Sequence, residues 1–398
     1  MVDRTGARSG IVATRADAGN GGRERRARPG MLRVEALWDG QRVAASAPSD
    51  DGTPAAGQLV GRTVGEALDV VRGLDGASPR IHQLAATAAF AAAGAAGVSR
   101  PEPWAEERAI AIETAQEHLC RLMLDWPALF GHSPRRERFD MLYRQLAQSG
   151  GSRGAFELGG DLLDLVAVEL LGGFFRATRE PNALREFVER ARRGGTIGAA
   201  LADLIEMGSS TSEQDSVPLL PLLSAQAWAH ELGGVPSAAF CRTPSLYGRA
   251  FETGVLGRHA ESMLVGILLG NGHRIAARLF ARVIDLADCA SRLRHPLASD
   301  MPMLVDAAPI GPGAGLAWVE TAQGLLMHVL RLDGERVAEY AVIAPKQWNF
   351  HPQGAFACEG SGWSAPSSEL ALLRLDALVL ALDPGVEFEI VLKDPAAT

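Results

Sequence analysis

The chain has 398 residues, 47% of them hydrophobic and 22% charged, and a net charge of −8. That is ample material for a large core, and the acidic balance excludes an overall basic field for nucleic acid. Cys120, Cys241, Cys289 and Cys358 form no CxxC pair, which excludes a zinc ribbon or thioredoxin-type site and fits a reducing, cytoplasmic compartment.

Residues 1–30 are rich in Gly, Ala and Arg, with Arg23, Arg25, Arg26 and Arg28 clustered and no apolar h-region. They read as a disordered basic tail. Met31 opens the first patterned segment and is a candidate start, so 31–398 is expected to be one domain. "MLRVEALWDGQRVAA" alternates on both sides of Asp39-Gly40 and predicts a hairpin. "LVGRTVGEALDVVRGL" predicts a strand end leading into a short helix. "HQLAATAAFAAAGAAG" predicts a core helix of small residues.

"WAEERAIAIETAQEHLCRLMLDW" predicts a long amphipathic helix. Ile112, Ala115, Leu119, Leu122, Met123 and Trp126 form its apolar face, and Glu113, Glu117 and Arg121 form a solvated ladder. His118 and Cys120 belong to its packing and surface. Helices are expected across 136–149, 160–176, 181–193 and 196–207, then an exposed loop at 208–216 and a strand-rich stretch around 217–242. No apolar run reaches the ~18 residues needed to span a bilayer, because Leu158–Phe175 is broken by Asp161, Asp164 and Glu169. "TGVLGRHAESMLVGILLGNG" and "RIAARLFARVIDLADCASRLR" predict two more helices. Alternation around Asp333-Gly334 predicts a second hairpin. "SSELALLRLDALVLAL" predicts a closing helix capped by Ser367 or Ser368. The fold class is therefore mainly α with small antiparallel β elements, without repeats or βαβ alternation.

Four stretches, "LRVEALWDGQRV", "SPRIHQLA", "YGRAFETGVLGRH" and "VETAQGLLMHVLRLDGERVAEYAVIAPKQWNFHP", together with the closing "ALDPGVEFEIVLKD", resemble the large, active-site subunit of nickel–iron hydrogenases in order and spacing. The resemblance covers roughly 31–127 and 240–391 and implies that subunit's helical bundle. It places the four metal-binding cysteines of the family on Asp75, Ser78, Gly385 and Phe388, with His82 and Glu320 kept. The family's arginine falls on Gln323, and the histidine after its last cysteine falls on Val391. Nickel and low-spin iron require soft thiolates, and none of the four positions offers one.

Such a frame without its ligands resembles the HupK/HoxV-type hydrogenase expression/formation proteins. That implies a non-catalytic accessory protein in hydrogenase maturation, with no resident cofactor or metal and a transient iron–cyanide–carbonyl fragment as the cargo. The implied partners are hydrogenase assembly chaperones and the large-subunit precursor, with neither nucleic acid nor membrane insertion. Asp75, Ser78, His82, Glu320, Gln323, Trp348, Asn349, Asp383 and Gly385 are the candidate pocket residues. Plainer roles stay open: turn residues at Asp75 and Ser78, a hydrogen-bonded core histidine at His82, a capping carboxylate at Glu320, a packed turn at Trp348-Asn349, and small core residues at the cysteines. Two other functions also stay open. One is a structural subunit of the respiratory complex I type. The other is an enzyme with an unrelated acid–base site built from Asp75, His82, Glu320 and Asp383.

Overall fold

The structure, a computed structural model, describes residues 12–15, 31–49, 56–73, 78–149, 152–172, 174, 181–209 and 216–393. The first hairpin forms as expected from β2 (Leu32–Trp38) and β3 (Val43–Ser49). Asp39 Oδ1 accepts from the Gln41 and Arg42 N–H groups at 2.9 and 2.7 Å, and Gly40 takes the positive φ of 95° that closes the turn. Ahead of them, β1 (Val12–Arg15) pairs in parallel with β8 (Phe388–Lys393), so four residues of the expected tail belong to a sheet. The rest of residues 1–30 lies outside the described residues. The sheet order is β1-β8-β2-β3, and β8 runs parallel to β2 as well, which places the two ends of the patterned chain side by side.

Helix α1 (Val64–Arg72) starts in a capping box between Thr63 and Glu66. The small-residue helix is α2 (Pro79–Ala92). The long helix is α3 (Pro103–Cys120), which passes through a π-helical turn at Arg121–Asp125 into α4 (Trp126–Leu129). The next four helices are α5 (Arg136–Gln148), α6 (Ser152–Asp164), α7 (Leu184–Ala191) and α8 (Gly195–Glu206). The stretch expected to be strand-rich instead holds α9 (Ala225–Leu232) and α10 (Ala238–Arg242). Ser224 and Ser237 cap them through the N–H groups of Ala227 and Phe240. Pro218 and Pro221 also remove donors that a strand would need.

Two short helices, α11 (Val255–His259) and α12 (Met263–Gly270), lead into α13 (Arg274–Arg294). Helix α13 is the spine: α3, α6, α8, α11, α12 and α16 (Ser368–Leu382) all pack on it. Ser367 caps α16 through the Leu370 N–H, as expected. No helix among the described residues is long and apolar enough to cross a membrane.

The second sheet is antiparallel, β4 (Val305–Gly311), β5 (Ala314–Glu320), β6 (Leu325–Asp333) and β7 (Arg336–Ile343), followed by α14 (Pro345–Asn349) and α15 (Ala355–Glu359). Its faces alternate. Ala317, Val319, Leu326 and Leu330 pack on α2, while Leu316, Trp318, Leu325 and Met327 pack with Trp228 of α9 and Trp348 of α14. The small side chains of α2 serve this contact: a Cβ added at Gly315 would lie 2.2 Å from the Ala89 carbonyl oxygen.

Candidate functional site

Ser78 precedes α2 in the left-handed region (φ 59°) and is buried, yet its hydroxyl caps nothing. Glu113 of α3 does so instead, accepting from the Arg80 and Ile81 N–H groups at 3.2 and 2.8 Å. This overturns the solvated ladder expected along α3, because Glu113 is buried and Arg121 points inward to Asp383. Burial raises the Glu113 carboxyl to about 7 against the pull of those two N–H groups. One turn further, His82 Nδ1 lies 3.1 Å from His328 Nε2, and His328 Nδ1 lies 2.7 Å from the Tyr340 hydroxyl. Burial holds His82 at about 4 and His328 well below the usual histidine range, so the chain joins neutral rings.

The β5–β6 turn is closed by Thr321 Oγ1, which accepts from the Gln323 and Gly324 N–H groups at 3.1 and 3.2 Å. Gly324 has φ 130° and presses so close to Thr253 that a Cβ would meet its side chain at 2.6 Å. Gln323 is buried, and its Nε2 has no partner among the described residues. Asn349 staples two segments: its Oδ1 accepts from the Thr253 N–H at 3.0 Å and its Nδ2 donates to the Leu382 carbonyl at 3.2 Å. Trp348 is fully buried, 6.1 Å from the Trp228 ring.

Asp383 ends α16 at φ 48° and is fully buried. Burial alone would raise its carboxyl, but Arg121 Nη2 at 2.9 Å and Arg282 Nη1 at 2.8 Å outweigh that and hold it at about 2. The π-helical turn aims Arg121, which also binds Asp125 at 2.6 Å. Arg282 Nη1 lies 3.3 Å from His118 Nδ1, and His118 Nε2 lies 2.6 Å from Asp285 Oδ2. Both oxygens of Asp285 are bound by Arg258 at 2.8 Å, and Oδ1 also meets His259 at 2.8 Å. Arg258 Nη1 reaches Glu320 at 2.5 Å. A continuous buried network thus links the closing segment to the β5–β6 turn through α13. Gly385, at φ 68°, donates its N–H to Asp383 Oδ1 at 3.3 Å.

Asp75 lies outside the described residues. Of the acid–base set, His82, Glu320 and Asp383 each keep different partners, and no hydrogen bond joins any two of them. Ser78, Gly385 and Phe388 do not fit a nickel–iron centre. They supply a buried neutral hydroxyl, a bare backbone and a phenyl ring on β8 where thiolates are required. Among the described residues, one group of potential ligands clusters: His118, Asp285 and Cys289. Asp285 is saturated by cationic and ring donors, and burial next to that carboxylate pushes the Cys289 thiol well above its usual range. The cluster is therefore a hydrogen-bonded network and not a cage.

The sequence reading missed Arg121, Arg258, Arg282, Asp285 and His118. One signal was available. Arg274, Arg278 and Arg282 repeat at a spacing of four in the otherwise apolar run 274–284, which marks a buried charged stripe in need of partners. Arg274 and Arg278 find them in Glu252 and Glu359.

No family model matches the chain. It is 32% identical over 325 residues to the hydrogenase expression/formation protein HoxV of Cupriavidus necator, covering 76% of this chain and 82% of that protein. It is 25% identical over 341 residues to HupK of Rhodobacter capsulatus, covering 85% and 92%. Its backbone is similar to the Ni-Fe-Se hydrogenases of D. vulgaris Hildenborough and Desulfomicrobium baculatum, with TM-scores of 0.58 and 0.59 over 89% of this chain and 96% of each of those. Sequence identity there is 14%, so the likeness concerns the fold, which is that of the nickel–iron hydrogenase large subunit.

Proposed function

Because the chain belongs to the hydrogenase expression/formation family of HoxV and HupK and has an accessory role in hydrogenase maturation, we propose that it acts there as a non-catalytic scaffold. The observation that supports this reading is the network from Asp383 through Arg282, His118, Asp285 and Arg258 to Glu320. It holds the large-subunit frame together with ionic and hydrogen bonds while the positions that would anchor a metal centre carry no thiolate. A frame of that kind can be presented to assembly chaperones and to the large-subunit precursor. Its cargo is the iron–cyanide–carbonyl fragment, carried transiently and held jointly with a partner's thiolate. Neither relative described above is a respiratory subunit, and the complex I reading has no other support.

The test is anaerobic purification with and without partners from hydrogenase-producing cells. Elemental analysis and infrared spectroscopy in the cyanide and carbonyl stretching region are then applied to both samples. The expected result is cyanide and carbonyl bands only in the complex with assembly chaperones, with no nickel and no hydrogen-oxidising activity in the isolated chain. Stoichiometric nickel in the isolated chain, or its recovery as a fixed subunit of active enzyme, overturns the reading.

A further inference from the structure

Between α11, α13 and the segment before β4 lies a cavity of about 200 Å³, whose lining includes Thr114, Arg258, Asp288, Cys289, Arg292 and Glu320. Its guanidiniums are already engaged. Arg258 binds Asp285, Glu320 and the Thr321 carbonyl, and Arg292 binds Glu107 and the Pro302 carbonyl. One acceptor remains open. Asp288 makes no hydrogen bond or close ion pair with any described residue. A carboxylate without a hydrogen-bonded partner in a partly dry cavity is costly, and burial raises the Asp288 carboxyl against the pull of the His259, Arg292 and Arg258 side chains.

Leu222 and Met303 also line a neighbouring, wider groove of about 720 Å³, together with Pro101, Leu223, Val305 and Trp318. They are 54% and 43% exposed and form an apolar lip between groove and cavity. The groove's carboxylates are satisfied: Glu106 by Arg100, and Asp306 by the Ala225 N–H.

We propose that groove and cavity together dock an apolar segment of a partner protein bearing one lysine or arginine, whose side chain passes Leu222 and Met303 to pair with Asp288. The segment's apolar side chains cover the lip. A free small amine would meet Asp288 but leave the lip uncovered. The cavity and groove carry this assignment independently of the maturation role.

The experiment titrates the full chain against fluorescein-labelled peptides of alanine and leucine with one central lysine, arginine, glutamine or glutamate, read by fluorescence polarisation. The lysine and arginine peptides are expected to bind about tenfold more tightly than the glutamine peptide. Asp288→Asn abolishes that preference, and because Asp288 makes no hydrogen bond to any described residue, the circular dichroism spectrum is unchanged. Leu222→Ser weakens all four peptides alike. Equal binding of the lysine and glutamine peptides, a preference that survives Asp288→Asn, or no binding of any peptide overturns the proposal. So does competition by n-butylammonium as effective as that by the lysine peptide, which would mark a small-amine site.

Discussion

Replacing Asp383 with asparagine removes the charge on which Arg121 and Arg282 converge while keeping the shape of the side chain. The carboxyl sits at about 2 instead of an ordinary 3.8, which corresponds to about 2.5 kcal/mol of folding free energy at neutral pH. The two arginines are not left equally exposed to the loss. Arg121 keeps Asp125, whereas Arg282 retains, among the described residues, the Ala381 carbonyl at 3.4 Å and the His118 ring at 3.3 Å. Breaking a buried pair by removing one partner costs about 3–5 kcal/mol, so a loss of about 3–4 kcal/mol is expected. Urea unfolding followed by circular dichroism measures it. The pH dependence gives a second check. A carboxyl depressed in the folded state contributes stability above its ordinary value and loses it as pH falls through its folded value. The gap between wild type and variant should therefore stay level from about pH 8 to about pH 5 and narrow only below about pH 4. A gap under about 1 kcal/mol at neutral pH, or one already closing near pH 6, would refute the network as the holder of the frame.

Two further outcomes follow from the same geometry. His82 is held at about 4 against an ordinary 6.5, so the unfolded chain binds its proton first and the wild type loses stability as pH falls from 6.5 towards 4. His82→Gln should remove about 2 kcal/mol of that loss between neutral pH and about pH 5, and parallel urea profiles for the two proteins would contradict it. Gly315→Ala places a methyl group 2.2 Å from the Ala89 carbonyl oxygen and should destabilise by about 1–3 kcal/mol or more through forced separation of α2 from the sheet. A melting temperature equal to that of wild type would show that the helix can yield.

Local chemistry was legible in the sequence. The Asp39-Gly40 and Asp333-Gly334 hairpins, the Ser367 cap and the long periodic helices all appear, because turn, cap and amphipathic signals lie within a few residues of where they act. The order and spacing of the motifs also carried the family, and with it the fold. What the sequence could not show was where charged groups end up. Glu113 reads as a surface residue because its spacing to Glu117 and Arg121 suits a solvated ladder, yet the N-terminus of α2 arrives from another segment and buries it. Asp383 and Glu320 read as separate candidates, and only the packing of α13 between them joins the two through Arg282, His118, Asp285 and Arg258. Parallel pairing of β8 with β1 and β2 was equally hidden, since strand partners distant in sequence are chosen by the core they jointly cover. Helical period and turn residues are properties of the chain within a few positions, whereas a buried ion pair exists only once the fold has removed water from both partners and set them within hydrogen-bonding reach.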